Sequence, residues 1–74
     1  KTMKLRQMVV TGGSQLLGVT LRDSGIRSCY NCMVVGIEEG EENLSQMSPD
    51  RKFEKGDIIW IVGEEKHLAQ LLEQ

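Results

Sequence analysis

Five consecutive apolar residues, Ile58 to Val62, constrain the fold of this chain more than any other stretch. They lie between the Gly-Asp pair at 56–57 and Gly63, and the run is rich in β-branched side chains. Such a run is too short for a typical buried helix and is typical of a strand. Successive side chains of a strand point to opposite faces, so neither face of this one is polar. We therefore predict a central strand that is covered on both sides.

The patterns on either side of this strand predict the rest of the architecture. They favour strands over 3–11, 30–37 and 44–47, a short helix over 19–24, and a helix after Gly63. Thr20 and Gly25 are the expected N-cap and left-handed C-terminal end of the short helix. In the last helix, Leu68, Leu71 and Leu72 fall on one face and are candidates to cover the central strand. The order strand, helix, strand, strand, strand, helix indicates an α+β fold, a small and mostly antiparallel sheet with helices packed on it.

The length and charge of the chain limit its class. A chain of 74 residues is a single domain, 1–74, that buries only about 60% of its unfolded surface on folding. Because so small a core is marginal, a homodimer is the default expectation. The net charge of −2, spread along the chain, argues against nucleic acid as a partner. No apolar run is long enough to span a membrane, and the start of the chain has no signal-peptide pattern. The absence of an initiator Met favours a fragment of a longer protein.

The sequence shows no pattern of a catalytic or metal site. His67 is the single histidine, and the acidic run at 38–42 lacks the ligand alternation of a calcium loop, which favours a solvated hairpin tip around Gly40. Cys29 and Cys32 form a lone Cys-x-x-Cys. A redox or metal role competes with their interpretation as two small, partly buried apolar residues in a reducing cytoplasm. We therefore predict a binding or regulatory module that is not an enzyme and has no catalytic residue, metal or resident cofactor.

Three stretches of the chain, in order, resemble one known family. Residues 14–27 are similar to a Ser-x-Leu-x-Gly-x-Thr-Leu corner, and residues 33–38 are similar to an apolar strand that leads into a charged hairpin. Residues 49–63 are similar to a Pro-Asp … Leu-x-x-Gly-Asp-x-Leu-x-Val-x-Gly ending. Together they resemble the TrkA-C domain, the C-terminal subdomain of the regulator-of-potassium-conductance family. The resemblance covers nearly the whole chain.

The resemblance implies a dimeric α+β regulatory domain on the cytoplasmic side of a membrane transport protein. Members of the family are attached to cation channels and cation:proton antiporters, or form separate regulatory subunits for potassium uptake. This chain looks most like the tail of a monovalent cation:proton antiporter. The implied partners are a second copy and the membrane-embedded transporter portion of the same chain, at the cytoplasmic face of a bacterial inner membrane. The implied function is control of K⁺ or Na⁺ transport with sensing of a small ligand, and the alternative is a purely structural dimerisation domain without a ligand.

The resemblance also implies where a ligand would bind. Some members bind cyclic di-AMP, a cyclic dinucleotide, between two such subdomains, and their pattern has an arginine after the short helix and an asparagine six residues later. Arg27 matches the arginine, whereas the asparagine position holds Met33 and Asn31 lies two residues earlier. We predict a ligand site made of Arg27, Tyr30 and Asn31, in which the guanidinium suits a phosphate or a carboxylate. The alternative is that Arg27 only pairs with Asp23.

Overall fold

An antiparallel sheet with a helix on one side forms the frame of the domain in a computed structural model that describes residues 2–44 and 48–73. The elements in chain order are β1 (Met3–Val9), a 3-10 turn (Arg22–Ser24), β2 (Met33–Glu39), β3 (Glu42–Leu44), β4 (Ile58–Glu64) and α1 (Glu65–Leu72). The strands lie in the order β1-β4-β2-β3, and each described pair is antiparallel. The predicted α+β class with an antiparallel sheet is confirmed.

The apolar run of the sequence becomes β4, which lies inside the sheet between β1 and β2. On one face of β4, Ile59 and Ile61 are 0% exposed and join Leu68 and Leu71 of α1 in the core. The helix reaches this face because β4 runs directly into α1, so the chain folds back at once. The connecting segments add their own apolar side chains to the same core: Val10, Leu16, Ile26, Cys32 and Phe53.

No part of the chain within residues 2–44 and 48–73 covers the other face of the sheet. Its central residues Ile58, Trp60 and Val62 are only half-buried. We call this side the open face; its apolar residues are Met3, Leu5, Val9, Met33, Ile58, Trp60 and Val62, and the polar residues Gln7, Glu38 and Glu64 also lie on it. The described residues of a single chain therefore cover β4 on one side only, because α1 and the core-forming loops all lie there, and cover of the second side by a partner stays a prediction.

The alternation of β1 places most of its apolar residues on the side of the sheet that faces away from the core. Its polar residues Lys4 and Arg6 share the helix side with Met8, which packs against the core. Its apolar residues Met3, Leu5 and Val9 lie on the open face and are 58%, 51% and 51% exposed. Exposed apolar residues that face away from the core in this way are typical of a surface that contacts another protein.

The predicted helix over 19–24 is reduced to the 3-10 turn, which Gly25 ends with a φ of 75°, as predicted. The residues before the turn pair with the segment that precedes β4. The N–H of Gly18 donates to the carbonyl of Phe53 at 2.8 Å, and the N–H of Phe53 donates to the carbonyl of Val19 at 2.9 Å. Because these backbone groups are engaged with a distant segment, they are not available for helical hydrogen bonds.

The segment around the hairpin after β2 contains a bulge and the predicted glycine tip. The register of β2 against β4 shifts between Val34 and Gly36, and a glycine inside a strand often marks such a bulge. Gly40 forms the tip of the turn with a φ of 59°. The return strand begins earlier than predicted, at Glu42, and residues 45–47 of the predicted strand lie outside the described residues.

The C-terminal helix covers the core with two of its three predicted residues. Leu68 and Leu71 are buried, whereas Leu72 is 37% exposed. Each residue of a helix is rotated by about 100° from the one before, which carries Leu72 past the edge of the buried face. Over residues 2–44 and 48–73, no helix is long and apolar enough to cross a membrane.

Candidate ligand-binding site

A cavity of about 720 Å³ opens between the 3-10 turn and the start of β2. Its wall is mainly apolar and is formed by Leu21, Gly25, Ile26, Cys32, Met33, Val34 and Pro49. Arg22, Arg27 and Ser28 complete the lining. No carboxylate is among these lining residues, so Arg22 and Arg27 are the charged residues of the lining beside an apolar surface.

Backbone pairing between two distant segments builds this cavity. The N–H of Arg22 donates to the carbonyl of Pro49 at 2.9 Å, and the N–H of Leu21 donates to the carbonyl of Arg51 at 2.9 Å. The turn after Gly25 is closed by the N–H of Cys32, which donates to the carbonyl of Ile26 at 2.9 Å. These bonds fix Pro49 opposite the start of β2 and leave the space between them open.

The two arginines of the cavity differ in their partners. Arg22 forms an ion pair with Asp50, and both side chains are mainly exposed. Arg27 has no ion pair or side-chain hydrogen bond with any described residue. The alternative in which Arg27 pairs with Asp23 is therefore wrong, and its guanidinium is available to an anion.

The structure does not bring the three predicted site residues together in one cavity. Arg27 lines the cavity described above. Tyr30 lines a smaller one of about 260 Å³, which also includes Leu71 of α1. Asn31 is exposed, has a φ of 53°, and lines neither cavity. A ligand site of Arg27, Tyr30 and Asn31 stays a prediction.

Sequence reasoning missed Arg22 and Pro49 as cavity residues. Arg22 carries no motif of its own, and Pro49 is separated from it by more than two dozen residues. The two residues are brought together by backbone hydrogen bonds between their segments, and no local sequence pattern predicts those bonds.

The two cysteines are free thiols in different surroundings. Cys29 is exposed and lies in a turn before β2. Cys32 is buried, and its Sγ donates to the carbonyl of Tyr30 at 3.3 Å. Burial raises the pKa of the Cys32 thiol, which disfavours the reactive thiolate. Within the described ranges, no group of three Cys, His, Asp or Glu residues could hold a metal ion.

Asp57, from the Gly-Asp pair, anchors the loop behind Pro49. It is 3% exposed and accepts two hydrogen bonds from the guanidinium of Arg51, at 3.0 and 3.2 Å. It also accepts the N–H of Glu54 at 2.8 Å, and Arg51 reaches Glu39 at 2.8 Å. Burial opposes ionisation of Asp57, but the bonds from Arg51 and Glu54 outweigh it and hold the pKa of the carboxyl below its usual value. The Gly-Asp pair is therefore scaffold, and it fixes the loop that carries one wall of the cavity.

Relatives of this chain occur inside much longer transport proteins. The TrkA-C domain family matches residues 5–74. An uncharacterized transporter of Synechocystis sp. is 32% identical over 60 residues, which are 81% of this chain and 10% of that protein. Potassium channel protein 1 of Methanocaldococcus jannaschii is 29% identical over 69 residues, which are 93% of this chain and 20% of that protein.

Solved structures show the same fold. The regulator of conductance of K⁺ (RCK) C domain of the potassium transport protein KtrA, in complex with cyclic di-AMP, has a TM-score of 0.87 and 22% identity, and the match covers 96% of this chain and 81% of that chain. The RCK_C domain dimer of BusR from S. agalactiae, in complex with cyclic di-AMP, has a TM-score of 0.79 and 24% identity over 90% of this chain and 83% of that chain. By its match over residues 5–74, the chain belongs to the TrkA-C domain family.

Proposed function

We propose that this domain is a non-catalytic regulatory module of a membrane cation transporter, and that it senses a small anionic ligand. The observation that carries the proposal is the free guanidinium of Arg27 beside an apolar cavity. The chain spans 10% and 20% of the two relatives described, so the transporter itself is part of the proposal. In this proposal the transporter is a K⁺ or Na⁺/proton antiporter or a potassium transport system, with the domain on the cytoplasmic side of the membrane.

The class of ligand follows from the two kinds of surface in the cavity. Apolar walls suit a flat base, and a guanidinium suits a phosphate, with which it forms strong charge-assisted hydrogen bonds. A cyclic dinucleotide offers both groups. Cyclic di-AMP is named as the ligand of the KtrA and BusR domains, and it is therefore the first probe to use here.

We expect calorimetric titration of this chain with cyclic di-AMP to show saturable binding that depends on Arg27. Arg27→Gln should weaken binding by about tenfold or more, because a hydrogen bond to a charged group contributes about 1.5–3 kcal/mol. Arg6→Gln is the matched control, since Arg6 is an exposed arginine that pairs with Glu65 away from the cavity. An equal effect of the two variants would indicate only long-range charge, and no binding by the wild-type chain would contradict cyclic di-AMP as its ligand.

The open face supports a second copy of this chain as the partner. Its exposed apolar residues face away from the core, as described for β1, and a two-fold axis would place each of these residues against the same surface of a partner. Glu38 lies at one end of this face, opposite Ile58, and it already accepts a hydrogen bond from Trp60 Nε1 at 2.5 Å. A charge satisfied within its own chain does not oppose burial as strongly as an unpaired one.

We expect sedimentation to show a dimer at micromolar concentration that Leu5→Lys weakens. Leu5 is 51% exposed on the open face, and a two-fold dimer would bury two lysines in its place, so its dissociation constant should rise at least about tenfold. Leu72→Lys is the matched control, since Leu72 is also exposed but lies on α1. A stable monomer of the wild-type chain would contradict the homodimer.

The second candidate is a structural dimerisation domain without a ligand, which the apolar open face favours independently of the cavity. The two measurements separate the candidates. Dimerisation together with binding supports the sensor, whereas dimerisation without binding across cyclic di-AMP, NAD and inorganic phosphate supports the structural role.

A further inference from the structure

We propose that Arg22 is a second anion-contacting residue of the cavity and that Asp50 is its built-in competitor. The inference rests on the proposed function, which it deepens by assigning a residue that sets the affinity of the site. Arg22 lines the same cavity as Arg27, and its guanidinium is engaged by the carboxylate of Asp50. A phosphate-bearing ligand would have to displace that carboxylate.

The backbone places this ion pair at the cavity. The N–H of Arg22 donates to the carbonyl of Pro49 at 2.9 Å, and Pro49 is itself a wall residue. Asp50, the next residue, is not part of the lining. When the guanidinium leaves Asp50, it therefore remains tethered beside the cavity.

The exposure of the pair makes the exchange favourable. The side chains of Arg22 and Asp50 are 60% and 68% exposed, and an exposed ion pair contributes at most about a fivefold factor to an equilibrium. A guanidinium binds a phosphate through charge-assisted, often bidentate hydrogen bonds, which are stronger. A ligand held by Arg27 and the apolar wall therefore gains more from Arg22 than the exposed pair loses.

The neighbouring arginine provides a contrast that identifies Arg22 as the exchangeable one. The side chain of Arg51 is 16% exposed and bonds Asp57, which is 3% exposed. Releasing Arg51 would leave a buried carboxylate without its partner, which is strongly unfavourable. Two successive residues, Asp50 and Arg51, therefore form one weak and one strong ion pair.

The test is a titration of four variants with cyclic di-AMP. Asp50→Asn should bind about two- to fivefold more tightly than the wild-type chain, because Arg22 is released without altering its position. Arg22→Gln should bind about tenfold more weakly than the wild-type chain. Arg22→Lys should have an affinity between the two, since lysine keeps the positive charge but lacks the paired donors of the guanidinium. Combining Arg22→Gln with Asp50→Asn should abolish the gain that Asp50→Asn gives alone.

The pair Arg6 and Glu65 supplies controls of the same charge. It is an exposed ion pair at 2.9 Å that lines no part of the cavity, so Glu65→Gln and Arg6→Gln should leave the affinity within about twofold of the wild-type value. Thermal melting of each variant confirms that it is folded.

Three outcomes would overturn the inference, and only one of them would also contradict the choice of ligand in the proposed function. Unchanged affinity in Arg22→Gln, with binding still lost in Arg27→Gln, would exclude Arg22 as a contact and leave the proposed function intact. Equal gains in affinity from Asp50→Asn and Glu65→Gln would show that Asp50 acts only through the net charge of the chain. Absence of binding by the wild-type chain would overturn both the inference and the choice of ligand on which it rests.

Discussion

Replacing Asp57 with alanine should lower the free energy of unfolding of this domain by about 3–5 kcal/mol. The substitution leaves the guanidinium of Arg51, 16% exposed, without its buried partner and removes the acceptor of the Glu54 N–H. A chain of this length has a free energy of unfolding of about 4–11 kcal/mol, so the variant should be largely unfolded on mild heating. Urea denaturation followed by circular dichroism measures the change.

Glu39→Ala is the control for this substitution. Glu39 also accepts a hydrogen bond from Arg51, but its side chain is 51% exposed, so its removal should cost less than about 1 kcal/mol. Similar losses in the two variants would show that burial of Asp57 does not determine its importance, and a fully stable Asp57→Ala would contradict the anchoring role.

The pKa of Asp57 predicts a pH dependence with a defined sign. Because folding lowers this pKa, the ionised carboxylate contributes stability that is fully present above the unfolded-state pKa of about 3.9. The contribution is lost as the pH falls through the lower, folded-state value. The free energy of unfolding of the wild-type chain should therefore fall below about pH 4 by a component that Asp57→Asn lacks. Parallel pH profiles of the two proteins would contradict the assignment.

Gly63→Ala should lower the free energy of unfolding by about 1–3 kcal/mol, the usual cost of overpacking a core. Gly63 lies in β4 under α1, where an added Cβ would be 2.6 Å from Cys32 Sγ and 3.5 Å from Leu68 Cγ. Alanine also restricts the unfolded chain, which is worth about 0.4–1 kcal/mol in the opposite direction, but the collision with sulfur outweighs it. Denaturant midpoints measure the difference.

A second substitution tests the cause. Cys32→Ala removes the sulfur, so it should recover part of the stability that Gly63→Ala loses, and the two changes should be non-additive. Gly12→Ala is the control, since an added Cβ there meets nothing within 4 Å. Strict additivity of the changes at positions 63 and 32 would show that the loss arises elsewhere.

The elements that could be predicted are those whose signal is local. Continuous apolar residues identified β4, and Gly25 identified the end of the turn. The prediction of a helix over 19–24 was wrong because residues 18–21 form backbone hydrogen bonds with the segment at 51–53. The spacing of leucines along the sequence does not reveal that non-local pairing.

The same limit applies to the cavity. Arg27 could be predicted from a family motif, but the pair of Arg22 and Asp50 and the wall at Pro49 depend on how two distant segments meet. Likewise, the apolar residues on both faces of β4 correctly predict two faces suited to cover. They do not show whether the cover comes from the same chain, and here α1 covers one face only.

Asp50 and Arg51 are adjacent in the chain, yet one is assigned to the affinity for a ligand and the other to the stability of the fold. Arg51 stabilises the fold through Asp57, whereas Asp50 forms an ion pair with the exposed guanidinium of Arg22 and, through its own N–H, a hydrogen bond with Ser48. Under the proposed exchange at Arg22, substitution at Asp50 would change ligand affinity with little loss of stability. Two domains that share this scaffold would then respond to different ligand concentrations.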